Sequence, residues 1–418
     1  MFLVAVDVGY SNLKVLSGPI GSPPATVVLP AGAGPAATMP EQFGRARDDR
    51  HLAVTVDGEA WAAGVEPSRL QNWERELHPD YPSTPAYRAL VHAALIAAAS
   101  PRVDRLVTGL PVSHYQDPAR REQLITLLTG THQVTQGREV AVRTVDILPQ
   151  PYGAYLDLIG GAADAGFDQA RVLVVDPGFF SVDWVLIDRG ELRFANSGSS
   201  ANAMSLLLEA ADELIRQDHG GGLGRDESEK LVRAGIGRVN LFGSPVELAP
   251  YIAAAAKRTA AVAITALKQS MRSERRPIDA VLLAGGGAAV YAEAVQDAFP
   301  KARVIVPEDP VLANVRGFWA YAGEAGAEPE ATSPEPADEV APPATLEPDA
   351  PEPAADREPE AVEQEAEPEA VEPEAEPEAV EPPNPARART PAAPVRPAAS
   401  PARAASRAPV RGKRGKGG

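Results

Sequence analysis

A strand–turn–strand unit occurs twice in the sequence, and this duplication restricts the fold more than any other feature. In the first copy an apolar run ends at Asp7, and Lys14 follows seven residues later. In the second copy an apolar run ends at Asp176, and Asp183 follows seven residues later. Both copies read Asp-x-Gly after the first strand, and each predicts a hairpin with a polar tip. A duplication separated by about half of the aromatic-containing region predicts two similar α/β lobes.

Strand and helix signals alternate along both halves of this region. The pattern predicts helices over 85–100, 118–130, 204–217 and 251–271, with strands over 103–108, 140–148 and 280–283. Asp57 and Gly58 between two apolar runs predict another hairpin. Residues 18–50 are rich in Gly, Pro and Ala, which predicts mostly loop.

The C-terminal quarter has a different composition. Residues 324–418 hold 20 of the 42 prolines and no aromatic residue, so they cannot bury enough apolar surface to offset their ordering entropy. Residues 324–383 carry 21 acidic side chains and one basic, and residues 384–418 carry nine basic and none acidic. The sequence therefore predicts an acidic disordered spacer, 324–383, and a basic disordered tail, 384–418. The tail is either a nonspecific binder of DNA phosphates or a solubilising segment.

Several function classes are excluded. The chain has no cysteine, which excludes disulfides, a thiolate nucleophile and a Cys-ligated metal. The six histidines lack metal-ligand spacing, and no Gly-x-Ser-x-Gly motif occurs. The sequence shows neither a secretory leader nor an apolar run long enough to span a bilayer, so we expect a cytoplasmic protein without a membrane partner.

The two Asp-x-Gly turns are candidate phosphate-binding elements. Tight turns expose backbone N–H groups to an anion, Lys14 adds a positive charge, and Asp7 and Asp176 can hold Mg²⁺ through water. A single turn is equally well an ordinary hairpin, but a pair that faces one cleft can clamp a nucleotide triphosphate. The candidate contacts are Gly9, Tyr10, Ser11, Asn12 and Lys14 in the first turn and Gly178, Phe179, Phe180, Ser181 and Asp183 in the second.

Two further motifs have weaker signals. Gln150 precedes a proline at a predicted helix start, where a side-chain amide can orient a water for attack on a phosphoryl group. The run Gly285, Gly286 and Gly287 follows a strand and opens a helix, so backbone can approach a ligand closely. The sequence contains neither a P-loop nor the dinucleotide fingerprint.

Taken in order, these motifs resemble the actin-like ATPase superfamily, and within it the ParM/StbA group of plasmid-segregation actins. The stretches that carry the resemblance are 7–15, 107–112, 148–154 and 313–318, and it extends over residues 1–323. It implies a two-lobed α/β fold of duplicated RNase H-like domains. The implied parts are domain I (1–150, with a small lobe inserted at about 18–84), domain II (151–310) and a helix that returns to domain I (311–323).

The resemblance also implies roles for single residues. Asp7 and Asp176 would hold a hydrated Mg²⁺ and, together with Gln150 and its attacking water, form the catalytic set. Gly285 to Gly287 would border the adenosine, and Asn314 would join the cofactor contacts. The implied activity is ATP hydrolysis coupled to polymerisation and to plasmid DNA segregation. ATP and Mg²⁺ would be the cofactors, and further copies of the chain and a DNA-binding adaptor the partners.

One departure from the family pattern leaves alternatives open. The second phosphate loop of the family usually reads Asp-x-Gly-Gly-x-Thr, whereas Phe179 and Ser181 stand here at the second Gly and the Thr. A positive φ at Phe179 would carry strain, and Pro177 lacks one N–H donor. A nucleotide-switched protein that binds a partner or DNA without polymerising is one alternative. A small-molecule kinase of the same fold, with Asp183 as the base, is the other.

Overall fold

The computed structural model describes residues 1–40, 51–71, 80–161 and 166–327. The predicted tail at 384–418 and most of the predicted acidic spacer lie outside these ranges. Residues 324–327, assigned to the spacer from composition, continue a helix instead.

The described residues form sixteen strands and nine α-helices. The strands are β1 (Phe2–Val8), β2 (Asn12–Pro19), β3 (Ala25–Pro30), β4 (Gly32–Pro35), β5 (Leu52–Val56), β6 (Glu59–Val65), β7 (Arg102–Leu110), β8 (Gly130–Thr135), β9 (Arg138–Pro149), β10 (Arg171–Pro177), β11 (Val182–Asp188), β12 (Glu191–Ser200), β13 (Arg238–Leu241), β14 (Ser244–Glu247), β15 (Ala280–Leu283) and β16 (Arg303–Ile305). The helices are α1 (Pro85–Ala97), α2 (Val112–Tyr115), α3 (Pro118–Leu128), α4 (Gln150–Gly160), α5 (Met204–His219), α6 (Arg225–Arg233), α7 (Ala249–Ser270), α8 (Ala288–Ala298) and α9 (Ala313–Ala327).

Two sheets with matching strand order carry the two lobes. The first runs β3-β2-β1-β7-β9-β8 and the second β12-β11-β10-β15-β16. In each, the strand that ends near the key aspartate pairs antiparallel with the next strand and parallel with a later one. The register is also the same, because Asp7 lies opposite Lys14 and Asp176 lies opposite Asp183. The predicted two-lobed α/β fold and its duplicated hairpins are confirmed.

Both central strands are buried on both faces, which explains their continuous apolar sequences. Val4 and Val6 face a core that contains α1, whereas Leu3 and Ala5 face a core that contains α9. In the second lobe, alternate residues of β10 likewise face α5, α7 and α8 on one side and α4 on the other. Each sheet is therefore covered by helices on both sides, and only the ends of its strands are free to form a site.

A small three-stranded sheet, β4-β6-β5, extends the first lobe. The prediction that residues 18–50 are mostly loop is wrong for the described part, which contains β3, β4 and the end of β2. Glycine there serves close packing rather than a turn, since a Cβ at Gly32 would lie 2.2 Å from the Val65 carbonyl oxygen. The hairpin at Asp57 and Gly58 is confirmed, and both residues have positive φ.

Helices α4 and α9 cross at two glycines. A Cβ at Gly317 would lie 1.7 Å from the carbonyl oxygen of Gly153, and one at Gly153 would lie 2.5 Å from that of Asn314. The absence of side chains brings the two backbones into contact. Gln150, the first residue of α4, and Asn314, near the start of α9, are positioned together by this contact.

An isolated hairpin of β13 and β14 completes the second lobe. Within the described ranges, no helix is both long and apolar enough to cross a membrane.

Candidate functional site

A cavity of about 290 Å³ lies where the two hairpins meet. Every residue that the sequence singled out as a site residue lines it, and both lobes contribute. They are Asp7, Gly9, Tyr10, Ser11, Asn12, Lys14, Gln150, Asp176, Gly178, Phe179, Phe180, Ser181, Asp183, Gly285, Gly286, Gly287 and Asn314. The fold thus brings together site residues that are up to 307 positions apart in the sequence, from Asp7 to Asn314.

The two turns have the same internal hydrogen bond. The Gly9 N–H donates to the Asn12 carbonyl at 3.1 Å, and the Gly178 N–H donates to the Ser181 carbonyl at 2.8 Å. These two N–H groups are consumed within the turns. Contacts from the turns to an anion would therefore come from their other N–H groups and side chains.

Asp7 is the centre of the first half of the site. Its buried carboxylate accepts a hydrogen bond from Lys14 Nζ at 2.9 Å and faces Gln150 Nε2 at 3.5 Å. The Gln150 side chain packs closely against the Gly109 backbone, since a Cβ at Gly109 would lie 2.8 Å from Gln150 Cγ. An ammonium, a carboxylate and an amide therefore converge where the first hairpin meets α4.

Asp176 is the centre of the second half. The Asn314 side-chain N–H₂ donates to its carboxylate at 2.7 Å, and burial raises the pKa of Asp176 to about 7. Asn314 lowers this pKa, whereas Asp7 and Asp183 raise it further. Gly285 has φ +75°, and a Cβ there would lie 2.0 Å from Asp176 Oδ1, so glycine is required at this point.

Asp183 is occupied by three donors. The hydroxyls of Ser181 and Ser199 and the backbone N–H of Val112 all donate to its carboxylate. Burial raises its pKa, and these three hydrogen bonds act in the opposite direction. Because Val112 belongs to the first lobe, Asp183 also ties the lobes together.

The condition under which Phe179 would carry strain, a positive φ, is not met. Among the described residues other than glycine, positive φ occurs at Asp57, Ala99, Arg189 and Phe242. The Phe179 ring packs instead into the core of the second lobe. Its carbonyl accepts the Ser205 N–H of α5 at 2.8 Å, so the second turn is anchored to that helix.

Aromatic rings connect the two turns. Tyr10 stacks on Tyr81 with ring centroids 4.5 Å apart, and its ring centroid also lies 4.8 Å from that of Phe180. Tyr10 packs against the cores of both lobes. Burial, followed by the charge of Asp183, raises the pKa of Tyr10, so its hydroxyl stays protonated at physiological pH.

Sequence reasoning missed two charged residues of α6 that line the cavity, Glu229 and Arg233. Glu229 is buried, with Arg233 Nη1 3.7 Å from one of its oxygens. Arg233 crosses to the first lobe, where it pairs with Glu66 and donates to the Ser11 carbonyl at 3.2 Å. The one available signal was Glu229 itself, an acidic residue on the apolar side of a short charged helix.

The donor set suits a hydrated hard cation. Asp7 and Asp176 supply carboxylate oxygens, the ligands that Mg²⁺ prefers. No cluster of three or more His, Cys, Asp or Glu able to hold a metal is found in the described part of the chain. Asn314 Oδ1 is buried without a hydrogen-bond partner among the described residues, so an acceptor is available for a metal-bound water.

Two family models match the chain in succession. The N-terminal domain of actin-like proteins matches residues 5–153, and the C-terminal domain of the MreB-like archaeal actin homologue matches residues 174–297. Each match contains one of the two hairpins. The chain belongs to the actin-like superfamily. No curated protein matches its sequence.

Solved structures agree with the actin-like fold. The archaeal actin homologue Ta0583 is similar with a TM-score of 0.62 at 19% identity, covering 78% of this actin-like chain and 100% of that one. A ParM from a 15-stranded filament of Clostridium botulinum has a TM-score of 0.60 at 16% identity, with 77% and 99% covered. Bacillus thuringiensis ParM with AMPPNP has a TM-score of 0.56 at 14% identity, with 78% and 99% covered. At these identities the likeness establishes the fold.

Proposed function

We propose that this actin-like chain binds ATP with Mg²⁺ between its lobes, hydrolyses the ATP and assembles into filaments in the cytoplasm. One observation carries the proposal: two Asp-x-Gly hairpins in the same register, one per lobe, line a single cavity with their carboxylates. Similar folds have been solved with AMPPNP and with ADP, and one of them as a filament. We assign the chain to the ParM/StbA group on the stretches 7–15, 107–112, 148–154 and 313–318.

The phosphate end of the cavity would be served by the two aspartates and their partners. Mg²⁺, when bound, supplies positive charge that neutralises phosphoryl oxygens. Asp7 and Asp176 would hold its hydration shell from opposite lobes, and Lys14 would direct its ammonium to the phosphates. The Gln150 amide faces Asp7, and we assign it the role of holding the attacking water by hydrogen bonds on that side.

The other end of the cavity would take the nucleoside. Gly286 has open space where a Cβ would stand, so backbone there can approach a flat ring. The buried carboxylate of Glu229 is an acceptor suited to sugar hydroxyls or base N–H groups. We assign these residues, with Gly285, Gly287 and Asn314, to the nucleoside and its linkage to the phosphates.

The partners follow from filament formation and from the tail. A plasmid-segregating filament needs a DNA-binding adaptor, and residues 384–418, with nine basic and no acidic side chains, could touch DNA themselves. Deleting 384–418 should abolish DNA retardation, and retardation by the full chain should weaken steeply with salt. Unchanged retardation after the deletion would contradict the role of the tail.

The kinase alternative is weakened by the partners of Asp183. A catalytic base needs a free acceptor for the proton of the hydroxyl substrate. Asp183 instead accepts from the Ser181 and Ser199 hydroxyls and from the Val112 N–H, and the Val112 N–H belongs to the backbone and cannot rotate away without moving the chain.

The binding and hydrolysis steps can be tested separately from assembly. Titration of a fluorescent ATP analogue into the purified protein should show saturable, Mg²⁺-dependent binding that Asp176→Ala removes. Phosphate release should proceed without any added acceptor and fall strongly in Gln150→Ala, which keeps nucleotide binding. Phosphate transfer only in the presence of a hydroxyl substrate would support the kinase instead.

A further inference from the structure

The tip of the β13–β14 hairpin carries the most exposed large apolar side chain among the described residues. Phe242 is 81% exposed, whereas the others of its kind range from 38% to 51%. The hairpin is short, with four paired residues in each strand, and it stands apart from the two large sheets. An exposed aromatic ring at such a tip can insert into a pocket on another protein surface, and we call Phe242 the anchor.

The backbone at Phe242 is unfavourable for phenylalanine. Phe242 and Gly243 have φ of +50° and +81° and form the two-residue turn between the strands. Such turns favour Asn-Gly, since Asn tolerates positive φ and a bulky residue does not. Phe242 therefore carries local backbone strain although its ring is exposed to solvent. Folding alone does not require an aromatic ring at this position.

The ring is also held in one place. A Cβ at Gly221 would lie 2.6 Å from Phe242 Cζ, so the end of the ring rests against the Gly221 backbone. Holding an exposed side chain in this way reduces the entropy lost when it docks. The anchor is therefore pre-ordered before it meets a partner.

A second cavity, in the first lobe, has the size and lining to receive a ring. Its volume is about 290 Å³, and its lining combines Pro82, Leu110, Leu124 and Leu127 with polar side chains, among them Ser83 and Gln123. An apolar cavity of roughly 150 Å³ is enough for benzene. Arg88 and Arg120 also line it, and guanidinium groups pack well on aromatic faces.

We propose that Phe242 of one copy of this chain inserts into the Leu110–Leu124–Leu127 cavity of the next copy. The anchor and the cavity lie on different lobes, so the contact is head-to-tail and leaves one anchor and one cavity free at the ends of any open assembly. Contacts of this kind generate open polymers when the rotation between copies does not close into a ring. The proposal rests on the self-association proposed above and names its contact.

The location of the cavity gives assembly a route to the nucleotide site. Pro82, Leu110 and His114 line both cavities. A ring seated in the second cavity would therefore press on the wall of the first. Subunit addition and nucleotide state would be coupled through these three residues.

Two substitutions in the full-length protein test the contact. Phe242→Asn removes the ring and suits the turn, so we expect the melting temperature to stay the same or rise while the critical concentration for ATP-dependent sedimentation rises about tenfold or more. Val262→Asn, at another exposed apolar residue of the same lobe, is the control and should assemble normally. Gln123→Trp fills the mouth of the cavity, and Glu122→Trp beside it, outside the cavity lining, is its control.

Mixing the variants gives the sharpest result. Phe242→Asn keeps its cavity and Gln123→Trp keeps its anchor, so an equimolar mixture with ATP should stop at dimers in analytical ultracentrifugation, while each variant alone stays monomeric. Normal sedimentation of either variant would overturn the proposal, as would a mixture without dimers. Failure of the wild-type protein to sediment under any nucleotide would instead contradict the proposed function.

Discussion

Asp176 and Asp183 lie opposite each other in one hairpin, yet their surroundings prepare them for different tasks. Asp183 has three hydrogen-bond donors and serves to hold the second turn and Val112 in place. Asp176 has the Asn314 amide and a raised pKa of about 7. A carboxyl group that burial keeps partly protonated gains most when a cation arrives. We therefore propose that Asp176, together with Asp7, holds the hydrated metal and that Asp183 has a positioning role.

The raised pKa of Asp176 predicts a pH dependence of stability. The folded-state pKa of about 7 lies above the ordinary 3.8, so the folded protein holds an extra proton between these values and loses stability as the pH rises through them. Between pH 5 and pH 7 this one group should lower the free energy of unfolding of the nucleotide-free protein by about 2 kcal/mol. Urea denaturation at both pH values should give a smaller decrease in Asp176→Asn. Parallel pH profiles for the two proteins would contradict the shift.

For single residues, the sequence predicted those that end a strand and form the following turn. It missed those whose position depends on tertiary packing. The spacing from Asp7 to Lys14 and from Asp176 to Asp183 is local, and it gave the correct hairpin register. Whether Phe179 carries strain depended on the φ of the turn, which the sequence does not give, and the turn has no positive φ there. Arg233 could not have been found, since its partners Glu66 and Ser11 are set only by the approach of the lobes.

The packed helices α4 and α9 position two amide side chains of the site, those of Gln150 and Asn314. Gly153 and Gly317 let the helix backbones touch, and Gln150 and Asn314 begin or lie near the start of these helices. Arg316 pairs with Asp157 of α4 and fixes the crossing from its edge. The two helices thus set the distance between the amide beside Asp7 and the amide beside Asp176.

A pair of glycine substitutions in α9 tests this arrangement. Gly317→Ala forces a Cβ against the Gly153 backbone, and we expect it to destabilise the protein by about 2–4 kcal/mol and to weaken nucleotide binding. Gly323→Ala has open space around it in the same helix and should be neutral or stabilising by about 0.5–1 kcal/mol. Thermal denaturation and nucleotide titration measure both. Equal behaviour of the two variants would contradict the close crossing.

Helices with a strong apolar periodicity were predictable from the sequence. Short strands that form by pairing with other strands were not. Helices α1, α3, α5 and α7 lie where apolar spacing and start signals placed them. Strand β4 was predicted as loop because Gly, Ala and Pro make up its sequence, and β3 was included because it lies within residues 18–50, although Thr, Val and Leu dominate its own sequence. The structure of β4 comes from pairing with β6, which lies later in the chain, and the approach of the Val65 backbone explains the glycine at position 32.

At the scale of the whole molecule, the lobes are tied on several levels around the cavity. Tyr10 bridges both cores, the Asp183 carboxylate accepts the Val112 N–H, and Arg233 pairs with Glu66. Repeated motifs in the sequence predicted that two lobes exist. The contacts between the lobes join residues that are distant in the sequence, so no local sequence pattern predicts them.

The tie made by Arg233 should slow nucleotide release. Arg233→Ala removes a half-buried pair across the cleft, and we expect release of a fluorescent nucleotide, followed by stopped flow, to be about fivefold faster, equivalent to ~1 kcal/mol. Lys230→Ala is the matched control, since Lys230 pairs with Glu227 within the same helix. Identical release rates from the two variants would show that the tie does not limit opening.

The central claim is that nucleotide held between the two hairpins drives assembly, and electron microscopy of the purified full-length protein tests it most directly. With ATP and Mg²⁺ the wild-type protein should form filaments, and it should form none without nucleotide. Asp176→Ala should form none in either condition, because it lacks a carboxylate that we propose holds the hydrated cation. Filaments of Asp176→Ala as abundant as those of the wild type, or wild-type filaments that ignore nucleotide, would contradict the account.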